Sequence, residues 1–191
     1  MLVAGWLSWD GRALRLAPCD GSAARDVLDV SPENSVTAAL TDLGLERSRL
    51  YVEIFARPAG AGLHLFRLNR ATAEGGCAPR PAAAWRATGN EPFWSVTVAS
   101  GGLLTLSRPG EPDVALKAEP ASASASGAGL AGQTLRWAGT GPDGQPFSLA
   151  LVPRLCRDTM ADAMFGWRAE WRRGNRTDRG CAWQGLGGPG L

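Results

Sequence analysis

Short stretches in which apolar and polar residues alternate recur along the whole chain. Such alternation places successive side chains on opposite faces of a β-strand. In residues 49–56, for example, Leu50, Val52 and Ile54 share one face. The pattern predicts strands over residues 2–9, 12–17, 25–30, 49–56, 63–68, 94–99, 103–107, 133–138, 145–152, 165–171 and 177–183. We therefore predict a mainly β protein.

Turn-forming residues separate the predicted strands. The chain has 25 glycines and 13 prolines among 191 residues, which favours many turns and short strands. Asp10-Gly11 predicts a tight hairpin. One short helix is predicted over about residues 32–43, since Ser31 is a good N-cap and Pro32 suits the first helical position.

A change in the pattern near residue 80 predicts two domains. Residues 71–84 contain Gly, Pro and polar residues typical of turns and linkers, and the strand pattern then begins again. We predict two small β-barrel-like domains, over residues 1–78 and 85–184, and the helix belongs to the first. A linker over 79–84 joins them, and a frayed tail over 185–191 follows. Residues 121–129, a run of Ala, Ser and Gly, are expected to form a flexible surface loop.

Composition and charge narrow the class of protein. Hydrophobic residues make up 45% of the chain and the net charge is +2, so a core can form, and the net charge by itself indicates neither a nucleic-acid binder nor a membrane-surface binder. No run approaches the roughly 18 apolar residues of a membrane span. Of the 20 basic residues only Lys117 is lysine. A GC-rich gene explains this bias, and an anion-binding arginine face is the functional alternative.

The chain has four cysteines, Cys19, Cys77, Cys156 and Cys181, and a single histidine. No two cysteines have zinc-site or thioredoxin-like spacing, whereas an even number of widely spaced cysteines fits two disulfides in an oxidising compartment. Spacing alone leaves three pairings open, and four free buried thiols are the alternative. We expect Cys19–Cys77 and Cys156–Cys181, because the other pairings would cross the change in composition near residue 80 twice.

The first residues, Met1–Trp6, lack the charged and long apolar regions of a signal peptide. Either the protein is cytosolic, or the export signal is absent from this chain, and we expect the second. The cysteines nevertheless point to a protein of the periplasm or one associated with the outer membrane.

Two motifs stand out in the second half. Gly89-Asn90-Glu91-Pro92-Phe93-Trp94 combines residues that favour positive φ with an acid and two aromatic side chains. Either this motif lines a pocket, or it forms the entrance to a β-domain and Trp94 plugs the barrel. The second motif comprises Cys156-Arg157-Asp158-Thr159-Met160, an aromatic strand containing Trp167, and Gly180-Cys181-Ala182.

Together these motifs resemble a family of uncharacterised bacterial envelope proteins and putative lipoproteins. Over about residues 85–183 the chain is similar to the META/HslJ-like small β-domains of that family. The first half resembles the domain that often precedes it. The resemblance implies export and a binding or structural role in the envelope, including a role in envelope stress, and it implies no known reaction.

The expected function is therefore binding rather than catalysis. Eight tryptophans are more than packing usually requires, so we expect some to line a groove. The candidate ligand-binding residues are Asn90, Glu91, Phe93, Trp94, Asp158 and Trp167. We predict no catalytic residue, metal or cofactor. The expected partner is a small ligand or an envelope protein, with no nucleic acid, and we expect a monomer. The alternatives are a small hydrolase that uses Glu91 and Asp158, and a purely structural stress-response domain.

Overall fold

The computed structural model describes residues 1–77, 83–99, 101–119, 122–124 and 133–185. Most of the predicted linker, of the loop over 121–129 and of the tail lies outside these residues. The described chain forms two compact units. One contains residues 1–77 and 157–166, and the other contains the described residues between 83 and 156 together with 167–185.

The protein is mainly β, as the sequence predicts. In chain order the strands are β1 (Leu2–Trp9), β2 (Leu14–Pro18), β3 (Arg25–Asp29), β4 (Leu50–Ala59), β5 (Gly62–Thr72), β6 (Trp85–Asn90), β7 (Phe93–Val98), β8 (Leu103–Ser107), β9 (Val114–Lys117), β10 (Ser122–Ser124), β11 (Thr134–Thr140), β12 (Pro146–Val152), β13 (Cys156–Asp158), β14 (Ala163–Phe165), β15 (Trp167–Arg173) and β16 (Arg176–Gln184).

The first unit contains a closed five-stranded barrel in the order β1-β2-β3-β5-β4, which closes where β4 pairs with β1. Strands β3 and β5 run parallel and the other pairs are antiparallel. Closure removes the exposed strand edges through which sheets aggregate. The fully buried aliphatic side chains of these strands are Leu7, Leu16, Leu50, Val52, Ile54, Leu65 and Leu68.

The predicted helix is present with a kink at its start. A 3-10 turn, Pro32–Asn34, precedes the helix α1 (Ser35–Asp42), because Glu33 and Asn34 adopt positive φ. Ser31, the expected N-cap, precedes the 3-10 turn, and Asn34 is the N-cap residue of α1. The Ser31 hydroxyl nevertheless accepts the N–H of Val36, in the first turn of α1, at 3.2 Å. Asp29 adds a carboxylate oxygen 2.7 Å from the N–H of Thr37. Both acceptors satisfy N–H groups that a helix start leaves without partners.

Residues 157–166, which the sequence analysis places in the second domain, belong to the sheet of the first unit. Strand β14 pairs with β5, so that Met164 lies opposite Ala71. The predicted strand over 165–171 is therefore wrong as one element, because it is divided at Gly166 between two sheets. Gly166 donates its N–H to the carbonyl of Asn69 at 2.9 Å, and its Cα lies against the Leu68 carbonyl, where a Cβ has no room.

The second unit is a nearly closed barrel of eight strands in the order β11-β12-β15-β16-β6-β7-β8-β9. Beyond β9, the N–H of Glu119 donates to the carbonyl of Ala138 at 2.9 Å, and β10 then pairs with β11. These contacts bring the two edges of the sheet together. A barrel of about eight strands has an interior just wide enough for side chains to fill.

Five of the eight tryptophans fill the second unit: Trp85, Trp94, Trp137, Trp167 and Trp171. The Trp85 and Trp167 rings meet edge to face with centroids 4.9 Å apart, and Trp171 stacks on Phe147 at 5.7 Å. Such pairs add to the free energy gained by burying their area. These five side chains pack in the core, and they do not line a groove as the sequence analysis expects of some tryptophans.

Both disulfides have the pairing that the sequence predicts. Cys19 bonds to Cys77 within the first unit, and Cys156 bonds to Cys181 within the second. Within the described residues, no helix combines the length and apolar character required to cross a membrane.

We expect Gly89→Ala to destabilise the protein by about 1–3 kcal/mol, the usual effect of overpacking. A Cβ at Gly89 would meet the buried Trp94 indole and the Arg179 carbonyl, and neither can move easily. The matched control is Gly101→Ala, since Gly101 has open space around it and no positive φ. Urea unfolding followed by tryptophan fluorescence compares the two. Equal stability of both variants would contradict the packing described here.

We expect removal of either disulfide to lower the free energy of unfolding, and removal of Cys19–Cys77 to have the larger effect. Cys19 and Cys77 are 58 positions apart in the sequence, and Cys156 and Cys181 are 25 positions apart. The chain-entropy model then assigns about 4 and about 3 kcal/mol to the two bonds. Paired Cys→Ser variants, compared by chemical unfolding, measure these values. Peptide mapping without reduction checks the pairing itself, and a cystine peptide that joins the two halves of the sequence would refute it.

Candidate binding site at one end of the second barrel

Strand register places the Gly89–Trp94 motif at one end of the second barrel. Asn90 pairs with Phe93 across the turn between β6 and β7. On one side, Thr88 lies opposite Cys181, so the turn continues alongside residues 178–180 of β16. On the other side, Ser95 lies opposite Ser107, which places Arg108 next to Trp94. Three segments that are distant in sequence therefore meet at this end.

The motif residues differ in exposure. Glu91 is exposed in the turn, Asn90 is half-buried, and the Phe93 ring is 47% exposed. Trp94 points into the barrel and is buried. The two interpretations of this motif thus apply to different residues: Trp94 plugs the barrel, while Asn90, Glu91 and Phe93 lie at its rim.

Beneath this rim lies an ion-paired carboxylate. The Asp178 side chain is only 5% exposed, and each of its oxygens binds one arginine. Arg108 donates an η-nitrogen proton to one oxygen at 2.8 Å, and Arg176 donates its Nε proton to the other at 2.9 Å. A buried carboxylate needs such partners, because its desolvation is costly. Two cations against one anion leave this cluster with an excess of positive charge.

Two buried N–H donors at this end have no hydrogen-bond acceptor among the described residues. They are Nε of Arg108 and Nε1 of Trp171. Trp171 lies opposite Asp178 in the pairing of β15 with β16. Arg176 is 48% exposed, so its guanidinium can also reach a group in solution. The arrangement can therefore accept an anionic or carbonyl oxygen, and arginine suits this role because of its fixed, forked donors.

A second arginine pair lies at the rim. The Arg173 η-nitrogen lies 2.9 Å from an Asp143 oxygen. Although desolvation raises the pKa of Asp143, hydrogen bonds from the Gln145 N–H and from Arg173 outweigh it and hold that pKa below its usual value. Asp143 therefore stays ionised at neutral pH, and this pair fixes the turn between β11 and β12 to the end of β15.

Asp158 and Trp167 are not part of the cluster that strand register assembles at this end. Asp158 belongs to the first unit, where one carboxylate oxygen accepts the N–H groups of Met160 and Ala161 at 3.0 and 3.1 Å. This is the turn-forming role of an aspartate. Trp167 shares the second barrel but pairs with Ala182, four residues along β16 from Asp178, and packs in the core.

The first unit contains a buried polar cluster of its own. Glu53 is fully buried and accepts hydrogen bonds from Tyr51 Oη at 3.2 Å and from Asn69 Nδ2 at 2.8 Å. These hydrogen bonds give the buried carboxylate the partners it needs, as expected of an acid with a structural role. Within the described residues, no three His, Cys, Asp or Glu side chains gather closely enough to hold a metal ion.

The sequence analysis did not identify Arg108, Trp171, Arg176 or Asp178 as site residues. One signal for Asp178 was present, because it shares the inward face of the predicted strand 177–183 with the small residues Gly180 and Ala182. An acid on a face otherwise made of small residues indicates a buried, paired carboxylate. Arg108 has no comparable signal, since it follows its strand and meets Asp178 across 70 residues of sequence.

We expect Asp178→Ala to lower the free energy of unfolding by about 3 kcal/mol, because it leaves two arginines without their buried partner. The control is Asp143→Ala, which removes a more exposed ion pair at the same end and should lower the free energy of unfolding much less. Chemical unfolding measures both variants. If both variants lost only a small and similar amount of stability, the Asp178 ion pairs would not stabilise this end of the barrel.

Comparisons of the chain with models of known protein families, with curated proteins and with solved structures found no match. The resemblance to bacterial envelope proteins accordingly rests on the motif residues in 89–94, 156–160 and 180–182.

Proposed function

We propose that this chain is an extracytoplasmic envelope protein, periplasmic or associated with the outer membrane, that acts by binding a partner at the motif end of its second barrel. The motif residues that resemble the envelope family support this compartment. Two disulfides and no free cysteine among the described residues support it independently, because such bonds persist in oxidising environments.

The observation that carries the binding proposal is an exposed motif on a rigid base. Asn90, Glu91 and Phe93 stand at the rim, directly beside the Arg108–Asp178–Arg176 cluster. Binding residues commonly lie on loops that a stable scaffold positions. Here the scaffold is the tryptophan-filled barrel.

The chemistry of the rim favours a protein partner. Phe93 offers an exposed aromatic surface, Glu91 a carboxylate and Arg176 a half-exposed guanidinium. Aromatic and arginine side chains dominate the binding energy of many protein interfaces. A small ligand would have to bind at this same rim, because large side chains occupy the barrel interior.

Hydrolysis by Glu91 and Asp158 is the less favoured function. Such chemistry requires two carboxyl groups that flank one bond. Glu91 belongs to the second unit and Asp158 to the first, and Asp158 already accepts two backbone N–H groups. These contacts favour a turn-forming role for Asp158 over a catalytic one.

We expect a photo-crosslinking amino acid at position 93 to capture one discrete protein in cells that express the native chain. The matched control is position 103, since Leu103 is also 47% exposed and lies next to the turn at the other end of β7. The combination of Glu91→Gln and Arg176→Gln should abolish capture at position 93 without unfolding the protein.

Crosslinking of the same species from both positions would contradict a site at this end. The hydrolase would be favoured instead if the protein hydrolysed an ester, amide or glycoside substrate and both Glu91→Gln and Asp158→Asn lost that activity. Reactive free thiols in protein taken directly from the cell would contradict the proposed compartment.

A further inference from the structure

The outer surface of the second barrel carries a concentration of arginines that begins beside the motif end, at Arg172 and Arg179. The side chains that alternate with the buried core residues point outward on these strands. They include Arg168 and Arg172 on β15, Arg179 on β16, Arg136 on β11 and Arg86 on β6. We call these five residues the arginine face.

Strand register groups the members of this face. Arg136 lies opposite Ala150, Ala150 opposite Glu170, and Glu170 opposite Arg179. Arg168 and Arg172 flank Glu170 on its own strand. From strand dimensions, Arg168 and Arg172 are about 13 Å apart along β15, and β11 and β16 are about 14 Å apart across the sheet. The face therefore spans an area that several anionic groups can occupy together.

The charge of the arginine face is mostly uncompensated. Among the outward residues of β6, β11, β12, β15 and β16, Glu170 is the one acid. It binds Arg172 at 2.7 Å, whereas its oxygen is 4.0 Å from Arg179. The Arg179 side chain is 85% exposed. The Arg179 guanidinium is therefore directed at solvent, whereas Arg168 donates its Nε proton to the Leu155 carbonyl at 3.4 Å.

An apolar side chain accompanies these charges. Val152 is 42% exposed and lies opposite Arg168 in the pairing of β12 with β15. The aliphatic stems of arginine can add to this apolar surface while their charged ends stay in a polar layer. A surface that combines several cations with apolar groups fits the interface of an anionic bilayer.

We propose that the arginine face docks the protein on an anionic phospholipid surface. Arginine binds phosphate through paired hydrogen bonds, and the outer surface of a barrel presents its guanidinium groups side by side. This surface adjoins the motif end at Arg172 and Arg179, and it extends from there over the outside of the barrel to Arg168 and Arg86. The inference rests on the proposed function only for the compartment, in which a membrane surface is available.

A lipid surface fits this face better than a single-stranded nucleic acid. Proteins that bind single strands place aromatic side chains among their cations, so that bases can stack on them. Between the arginines of β11, β15 and β16 the outward residues are small or aliphatic, namely Ala138, Ser148, Ala150, Val152 and Thr177. One aromatic side chain, Trp183, lies opposite Arg86. The disulfides also favour a compartment without nucleic acid.

The test is sedimentation of the purified full chain with lipid vesicles. We expect binding to vesicles of phosphatidylglycerol mixed with phosphatidylcholine, and none to phosphatidylcholine alone. Each arginine near an anionic surface strengthens binding about fivefold. The combined Arg168→Gln, Arg172→Gln and Arg179→Gln variant should therefore bind about a hundredfold more weakly. Glu170→Gln, which removes the acid, should bind about fivefold more tightly.

The control variant combines Arg12→Gln, Arg15→Gln and Arg57→Gln, three exposed arginines of the first unit. It loses the same net charge and should retain vesicle binding. Equal loss in both triple variants, or a lack of preference for the anionic vesicles, would overturn the proposal. So would tighter binding to a single-stranded DNA oligonucleotide at the same salt concentration.

Circular dichroism confirms that each variant is folded. The tighter binding expected of Glu170→Gln tests the arginine face even if the triple variant unfolds. Capture at position 93 is a separate measurement, so failure of one proposal does not imply failure of the other.

Discussion

The packing of five tryptophans inside a barrel of eight strands is the constraint on which the second unit depends. Rings of this size leave little interior volume, so the backbone must approach closely wherever a ring needs space. Gly89 lies under the Trp94 indole, and Gly180 lies against the Thr88 carbonyl, positions that exclude any Cβ. Because the interior is occupied, the groups available for function are at the motif end and on the outer surface.

The connection between sheets imposes a second constraint. After Cys156 the chain contributes β14 to the sheet of the first unit and returns at Gly166 to begin β15. Gly166 permits this change of sheet, since its Cα lies against the Leu68 backbone. Arg67 secures the same point by donating a hydrogen bond to the Gly166 carbonyl at 3.1 Å, although burial lowers the pKa of Arg67 to about 10. The guanidinium is still charged at neutral pH, and it needs this acceptor.

The arginines of the second unit have two different roles because their surroundings differ. Arg108 lies at the end of the barrel and compensates the buried Asp178 carboxylate, which would otherwise be too costly to desolvate. Arg168, Arg172 and Arg179 occupy outward positions of β15 and β16, where their charge is solvated and exceeds that of Glu170. The first role supports the rim that carries Phe93, and the second leaves a cationic surface free to meet an anionic one.

Local patterns in the sequence were sufficient to predict the mainly β class, the short helix and most strands, since alternation, turn residues and N-caps act over a few residues. The disulfide pairing was instead predicted from the change in composition near residue 80, which divides the chain into two halves. Local patterns left open whether Trp94 lines a pocket or plugs a barrel, and the structure buries it in the barrel. Only the tertiary structure decided that the strand predicted over 165–171 is divided at Gly166, because that break depends on the distant Leu68 and Asn69 backbone. The same holds for the pairing of Arg108 with Asp178 and for the outward row from Arg136 to Arg179. Both result from strand register between segments far apart in the chain, which no local pattern encodes.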